Sequence, residues 1–298
     1  MSLAFDDPIG SWARTLFCPL GVEGVYARTA LFERVIDGLA RLISRNREPA
    51  AEVLRFPPVM SRQQLERTGY QNNFPQLLGG VCCLQHEDGA GRQQGPNGLD
   101  WAAAVATSDL VVTPAACYPV YPLVAARGAV PAGGLLFDVT ADCFRREPSR
   151  QLDRLQSFRM REFVCVGTPE QASHFRARWL ARAKELASQL CLNYRIEKAS
   201  DPFFGRTGML LALSQVEQSL KYELLIPVYS EERPTACMSF NYHLDHFGET
   251  WRLRDANDGV AHTACVAFGL DRLGLALFVT HGADLARWPA SAREALAL

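Results

Sequence analysis

Arginine is the residue whose placement in this 298-residue chain is uneven enough to suggest chemistry. Six arginines stand between Phe144 and Arg161, at 145, 146, 150, 154, 159 and 161, against only Glu147 and Asp153. That is a local excess of four positive charges in a chain of formal net charge −1. A guanidinium stays charged and offers a planar fork of donors that matches phosphate and carboxylate oxygens. Such a segment can hold a polyanion, although a solvated charged hairpin has the same composition. Far along the chain, Arg272 lies inside the otherwise apolar GLDRL, residues 269–273. Burying a charge without a partner is costly, so an arginine there is paired or functional.

Other residue types say less. The nine cysteines (18, 82, 83, 117, 143, 165, 191, 237, 265) are odd in number, scattered and without a CxxC pair. That excludes a disulfide framework and a zinc ribbon, and each cysteine read singly is a small buried hydrophobe. A metal site would have to be assembled from distant segments. His243 and His246 are three apart in YHLDHF, not the four-apart pair of a zinc protease helix, and read as structural or substrate-facing. GAGRQQG around Gly89 lacks the spacing of a dinucleotide fingerprint and reads as a loop. No P-loop signature and no G-x-S-x-G elbow occurs.

The elements that must position these residues follow from periodicity. ALFERVIDGLARLISRN, residues 30–46, sets Leu31, Val35, Ile36, Leu39, Leu42 and Ile43 on one helical face. Pro169 to Leu192 reads as a long helix, with Thr168 as N-cap and Gln171 completing a capping box. VCCLQ, DLVVTP, GLLFDVT, REFVCVG, YELLIPVY and TACMSFNYH read as strands, with CYPVYP as a proline-rich turn and CVAFGLDRLGLALFVT as a final apolar segment. This order lacks strict strand–helix alternation. It predicts an α+β fold with an antiparallel sheet flanked by helices, as one domain over residues 1–298. With 48% hydrophobic and 21% charged residues the composition is globular, no apolar run reaches bilayer length, and the acidic start is no signal peptide, so a cytoplasmic location is expected.

In these segments the chain resembles the catalytic core of class II aminoacyl-tRNA synthetases, in particular the seryl branch. Phe144-Arg145-Arg146-Glu147 resembles the FRxE of motif 2, and RMREF, residues 159–163, resembles the end of the same hairpin. GLDRL resembles motif 3, with Asp271 where Glu is usual. FPPVMSRQQLERTGY, with Pro57 and Pro58, is similar to motif 1, which builds the dimer interface. The likeness spans roughly residues 20–285 and implies a homodimer that binds ATP with Mg²⁺. It implies that Arg145 holds the α-phosphate, Glu147 fixes the adenine and Arg159 reaches the γ-phosphate. Phe163 and Arg272 would sandwich the adenine ring. Asp201, Lys221, Glu223 and Asn241 would flank the substrate. No acidic residue matches the Mg²⁺-binding glutamate of the seryl enzymes; Thr235 or Ala236 stands there.

Cys117 stands where common seryl enzymes carry glutamate, Glu162 where they carry glutamine, and Cys265 opens the motif 3 segment. This trio resembles the zinc-dependent, atypical seryl-tRNA synthetases and implies one Zn²⁺ per subunit. Two thiolates and a carboxylate suit zinc and leave a fourth position for a substrate amino group. No heptad stretch or basic tail accompanies the core, and near-neutral charge offers little to tRNA phosphates. The whole is similar to the amino acid:carrier-protein ligases, truncated homologues of those enzymes. That likeness implies adenylation of a small amino acid, glycine or alanine, and its transfer to the phosphopantetheine thiol of a carrier protein. His174, Arg176, Arg178, Arg182 and Lys184 on the long helix, with Arg195 just beyond it, offer a docking surface for that carrier. The rivals are a core that still charges tRNA and a catalytically silent regulatory paralogue.

Overall fold

The computed structural model describes residue 9, residues 13–84 and 104–298, and the backbone of residues 94–95 and 98–99. Most of the GAGRQQG stretch and of the first dozen residues lies outside the described residues. In chain order the elements that matter here are α1 (Ala30–Asn46), β1 (Glu52–Arg55), β2 (Val59–Ser61), β3 (Gly80–Leu84), β4 (Val105–Val112), α2 (Val120–Arg127), β5 (Leu135–Phe144), β6 (Ser157–Gly167), α3 (Pro169–Gln189), β7 (Arg195–Lys198), α4 (Gly205–Glu217), β8 (Lys221–Ile226), β9 (Thr235–Tyr242), α5 (His246–Trp251), β10 (His262–Gly269) and α6 (Leu270–His281).

Seven strands form one sheet in the order β7-β8-β9-β10-β6-β5-β1, antiparallel throughout except where β1 runs parallel to β5. The expected fold class is observed. A smaller antiparallel sheet, β2-β4-β3, lies apart from it. Among the described residues no helix is long and apolar enough to cross a membrane.

Period-two alternation gives the large sheet two unlike faces. On one face Phe163 and Cys165 of β6, Val266 and Phe268 of β10, and Phe240 of β9 join the core beneath α1, α3 and α6. Helix α1 supplies Phe32, Val35, Ile36, Leu39, Leu42 and Ile43, all buried at three- and four-residue spacing. Its close approach to α6 needs Gly274, where a Cβ would stand 2.8 Å from Ile36 Cδ1. Helix α3 starts at the expected capping box: Thr168 accepts from the Gln171 amide while Gln171 Oε1 accepts from the Thr168 amide.

Two helices lie where periodicity did not place them. CYPVYP is the entry to α2 and not a turn, because Pro119 precedes the helix and Pro122 falls in its first turn, where no backbone N–H is needed. Helix α4 keeps its apolar residues largely exposed and so lacks a buried stripe: Met209, Leu210 and Leu213 are each at least 60% exposed.

Candidate active site

The other face of the sheet floors a cavity of about 490 Å³. Alternate residues of four adjacent strands point into it: Phe158, Met160 and Glu162 of β6, Cys265 and Ala267 of β10, Ser239 and Asn241 of β9, and Lys221 and Glu223 of β8. Strand register aligns them in rows. Glu162 faces Ala267, Asn241 faces both Cys265 and Lys221, and Ser239 faces Glu223.

At one end Cys117, from the turn between β4 and α2, meets Glu162 and Cys265. All three are buried, and their donor atoms lie within 4.8 Å of one another. The Cys117 amide donates to Glu162 Oε1 at 3.0 Å, and Asn241 Nδ2 donates to Cys265 Sγ at 3.3 Å. His243 stands behind, its Nδ1 3.0 Å from the Thr263 hydroxyl and its Nε2 3.7 Å from Cys265 Sγ. Burial lowers His243 to about 3, so its ring is neutral. A hydrogen bond with Cys265, then burial and the Glu162 charge, push the Cys117 thiol well above its ordinary value. The same hydrogen bond pulls Cys265 down, but burial and Glu162 outweigh it, and burial raises Glu162 itself. Both thiols therefore keep their protons more tightly than a free cysteine does, while hydrogen bonds from them pull against the burial that raises Glu162. Two sulfurs and a carboxylate oxygen in this arrangement fit a zinc ion, whose charge would replace the protons.

Beside the trio, Lys221 lies buried between two carboxylates, 2.6 Å from Asp201 and 3.0 Å from Glu223. Burial alone would raise Asp201, but Lys221 and the Gln215 amide hold it below its usual value. The four residues expected to flank a substrate, Asp201, Lys221, Glu223 and Asn241, are therefore brought together.

At the opposite end Arg145, Glu147 and Arg272 meet as expected. Arg145 Nε donates to the Pro114 carbonyl, and its guanidinium lies 5.5 Å over the Phe158 ring. Arg272 is held by the main-chain oxygens of Asp153 and Ala236 at 2.7 and 3.0 Å. Glu147 accepts from Arg154 at 3.1 Å.

Two expected residues are displaced. Phe163 cannot stack in the cavity, because it lies on the helical face, against Trp179 at a centroid distance of 4.6 Å and edge-on to Phe268. Arg159 borders the cavity, but its guanidinium is taken by Glu33 of α1 at 2.5 Å and Asp271 of α6 at 2.8 Å. The reason is the pleat. Once Glu162 faces inward, Phe158 and Met160 do as well, while 159, 161 and 163 face the helices. The aromatic ring on the cavity side is Phe158, and two-residue counting back from Glu162 is the signal that finds it.

Of the residues expected to form a basic docking surface on α3, two are engaged within the protein, while His174, Arg178 and Lys184 remain exposed. Arg176 donates to the Ser219 carbonyl and lies 5.5 Å from both the Tyr222 and Tyr242 rings. Arg182 is bonded to Glu48 and to the Asn46 carbonyl.

No family model matches the chain. It is 58% identical over 295 residues to amino acid–acyl-carrier-protein ligase 1 of Bradyrhizobium diazoefficiens, covering 98% of this chain and 90% of that relative. The chain belongs to the amino acid–acyl-carrier-protein ligase family. Solved structures of seryl-tRNA synthetases share the ligase's fold. That of Methanopyrus kandleri, in complex with tRNASec of A. aeolicus, superposes with a TM-score of 0.79 at 22% identity, over 95% of this chain and 58% of its own. That of Pyrococcus horikoshii, complexed with ATP, gives 0.67 at 17% identity, over 93% and 58%.

Proposed function

We propose that this ligase joins a small amino acid to ATP, releasing pyrophosphate, and passes the resulting aminoacyl group from its adenylate to the phosphopantetheine thiol of a carrier protein. One observation carries the reading. A cysteine–glutamate–cysteine trio and an arginine–phenylalanine–arginine cluster line one cavity together with the Lys221 group, Glu162 and Phe158 standing on the same face of β6. The name of the Bradyrhizobium relative supports a carrier protein as acceptor.

Arg145 holds the α-phosphate, and Glu147 and the Phe158 and Arg272 planes hold the adenine. Stacking between a guanidinium and an aromatic ring suits a purine. Zinc, when bound by Cys117, Glu162 and Cys265, supplies an open position suited to an uncharged amino group. With the amino group held there, the substrate carboxylate points along the floor towards Arg145. Its attack on the α-phosphorus gains from fixed orientation and from positive charge already in place. The chain then needs a thiol at the adenylate carbonyl, where its attack expels AMP. Lys221, pinned by Asp201 and Glu223, closes the row next to Asn241 and Cys265 and leaves room for a small side chain. Glycine fits first and alanine second.

Helix α4 marks where a carrier approaches. Leu211, Ser214 and Gln215 line the cavity while Leu210 and Leu213 of the same helix face outward, exposed. A protein seated on that apolar surface is within reach of the cavity.

The test is ATP–pyrophosphate exchange across the twenty amino acids, with and without a zinc chelator, followed by transfer to holo carrier protein or to total tRNA. Exchange with glycine or alanine, lost on chelation, and transfer to the carrier support the reading. Transfer to tRNA alone would favour a synthetase core, and absence of exchange a silent paralogue. Leu210→Arg with Leu213→Arg is expected to slow transfer and spare exchange.

A further inference from the structure

Among the arginines of the nucleotide end sits a carboxylate that none of them takes. Asp153, in the connection between β5 and β6, lines the cavity with Arg145 and Arg272. The hydroxyl of Thr235, the first residue of β9, donates to its Oδ2 at 2.6 Å. Its Oδ1 is buried and has no hydrogen-bond partner among the described residues. Arg272 bonds the main-chain oxygen of Asp153 and not its carboxylate, and Arg154 bonds Glu147.

Buried carboxylate oxygens are almost always satisfied, and an orphan in a ligand cavity calls for a partner. A triphosphate cannot be that partner, since two anions would be forced together where water is scarce. A divalent cation answers both demands. Magnesium is commonly held by one or two carboxylates together with substrate phosphate oxygens and water, not by a complete protein cage.

We propose that Asp153 is a protein ligand of the divalent cation that enters with ATP, with Thr235 orienting the carboxylate and phosphate oxygens and water completing the shell. The proposal rests on the nucleotide reading above. It also gives meaning to Thr235, one of the two residues standing where the seryl enzymes carry their Mg²⁺-binding glutamate. The acid is delivered from the hairpin across from the strand, and the threonine hydroxyl steers it.

The experiment is calorimetric titration of ATP into the protein with Mg²⁺ and, separately, with EDTA, for wild type, Asp153→Asn and Thr235→Val. Asp153→Asn keeps the shape of the side chain and an oxygen for Thr235. It is expected to weaken ATP binding about tenfold or more with Mg²⁺, in the range seen when a metal-site partner is lost. In EDTA it should leave binding unchanged or tighter, because one negative charge has left the phosphate site. The Mg²⁺ needed for half-maximal pyrophosphate exchange rises in parallel, and Thr235→Val shifts both readings the same way by less. Equal weakening in Mg²⁺ and EDTA assigns Asp153 a structural role and overturns the proposal, as does an unchanged Mg²⁺ dependence. Wild-type protein that binds no ATP in either condition overturns the nucleotide reading and this site with it.

Discussion

Arg161 and Glu162 are consecutive residues of one strand, and the two faces of the sheet treat their charges in opposite ways. Arg161 enters the helical face, where Asp138 takes its Nε and Nη2, the Ala40 carbonyl takes Nη1 and the Ser44 hydroxyl takes Nη2. Four of its five N–H donors are used and both ions are nearly inaccessible. Glu162 enters the cavity face, where its neighbours are two buried thiols that compete with it for protons. The first charge has been completed by the fold, and the second still lacks a cation. The same holds for the two phenylalanines of β6: Phe163 is packed against two protein rings, Trp179 and Phe268, whereas Phe158 borders the cavity with Arg145 above it. A buried polar residue on this sheet is structural where its partners are complete and functional where they are not.

That contrast can be broken by substitution. Arg161→Ala leaves Asp138 buried with only Arg47 near it, and should cost about 3–5 kcal/mol of stability in denaturant titration. Phe163→Ala should cost a similar amount, about 3–5 kcal/mol, by opening a cavity beneath α3. If either variant instead melts like wild type and loses ATP binding, the division between the faces is wrong. Cys265→Ser, on the cavity face, should leave the fold intact and lower both zinc content and exchange more than about a hundredfold, beyond the usual effect of outer partners. Phe158→Ala should weaken ATP by the worth of one base stack, about 1–3 kcal/mol, read as a raised KM for ATP with a small change in melting temperature.

The smallest expected effect sharpens the comparison through pH. A hydrogen bond with Cys265 and burial raise the Cys117 thiol, and burial with the Glu162 charge outweighs that hydrogen bond to raise Cys265, so near neutrality both thiols hold protons that zinc must displace. Zinc affinity, measured by chelator competition, should therefore rise between about pH 6 and pH 8 and not fall. A flat profile would mean that the thiols are already ionised and that the pocket is less shielded than its burial implies.

Much of this was legible in the sequence, and the failures have a common cause. FRRE at 144–147, GLDRL at 269–273 and the trio Cys117, Glu162 and Cys265 could be placed because each sits on a short local pattern. Arg159 and Phe163 were misplaced because RMREF was matched as a string, while its side chains alternate between faces; Glu162 alone would have set the parity. Helix α2 was hidden by its prolines and α4 by an apolar face that stays exposed. The meeting of Lys221 with Asp201 and Glu223 joins a loop to β8 and leaves no local signature, although the resemblance named all three. Asp153 escaped notice because in the sequence it merely offset arginines.

Arg28 Nε reaches Asp271 at 3.1 Å, and the two residues are 243 positions apart. Asp271 also accepts from the Arg159 amide and directly precedes Arg272. Closing a loop of that length costs entropy before any contact repays it. On the ribosome, then, the nucleotide end cannot assemble until the chain is nearly finished, and the zinc trio waits likewise for Cys265. Both ends are therefore completed late, by contacts between residues made far apart in time.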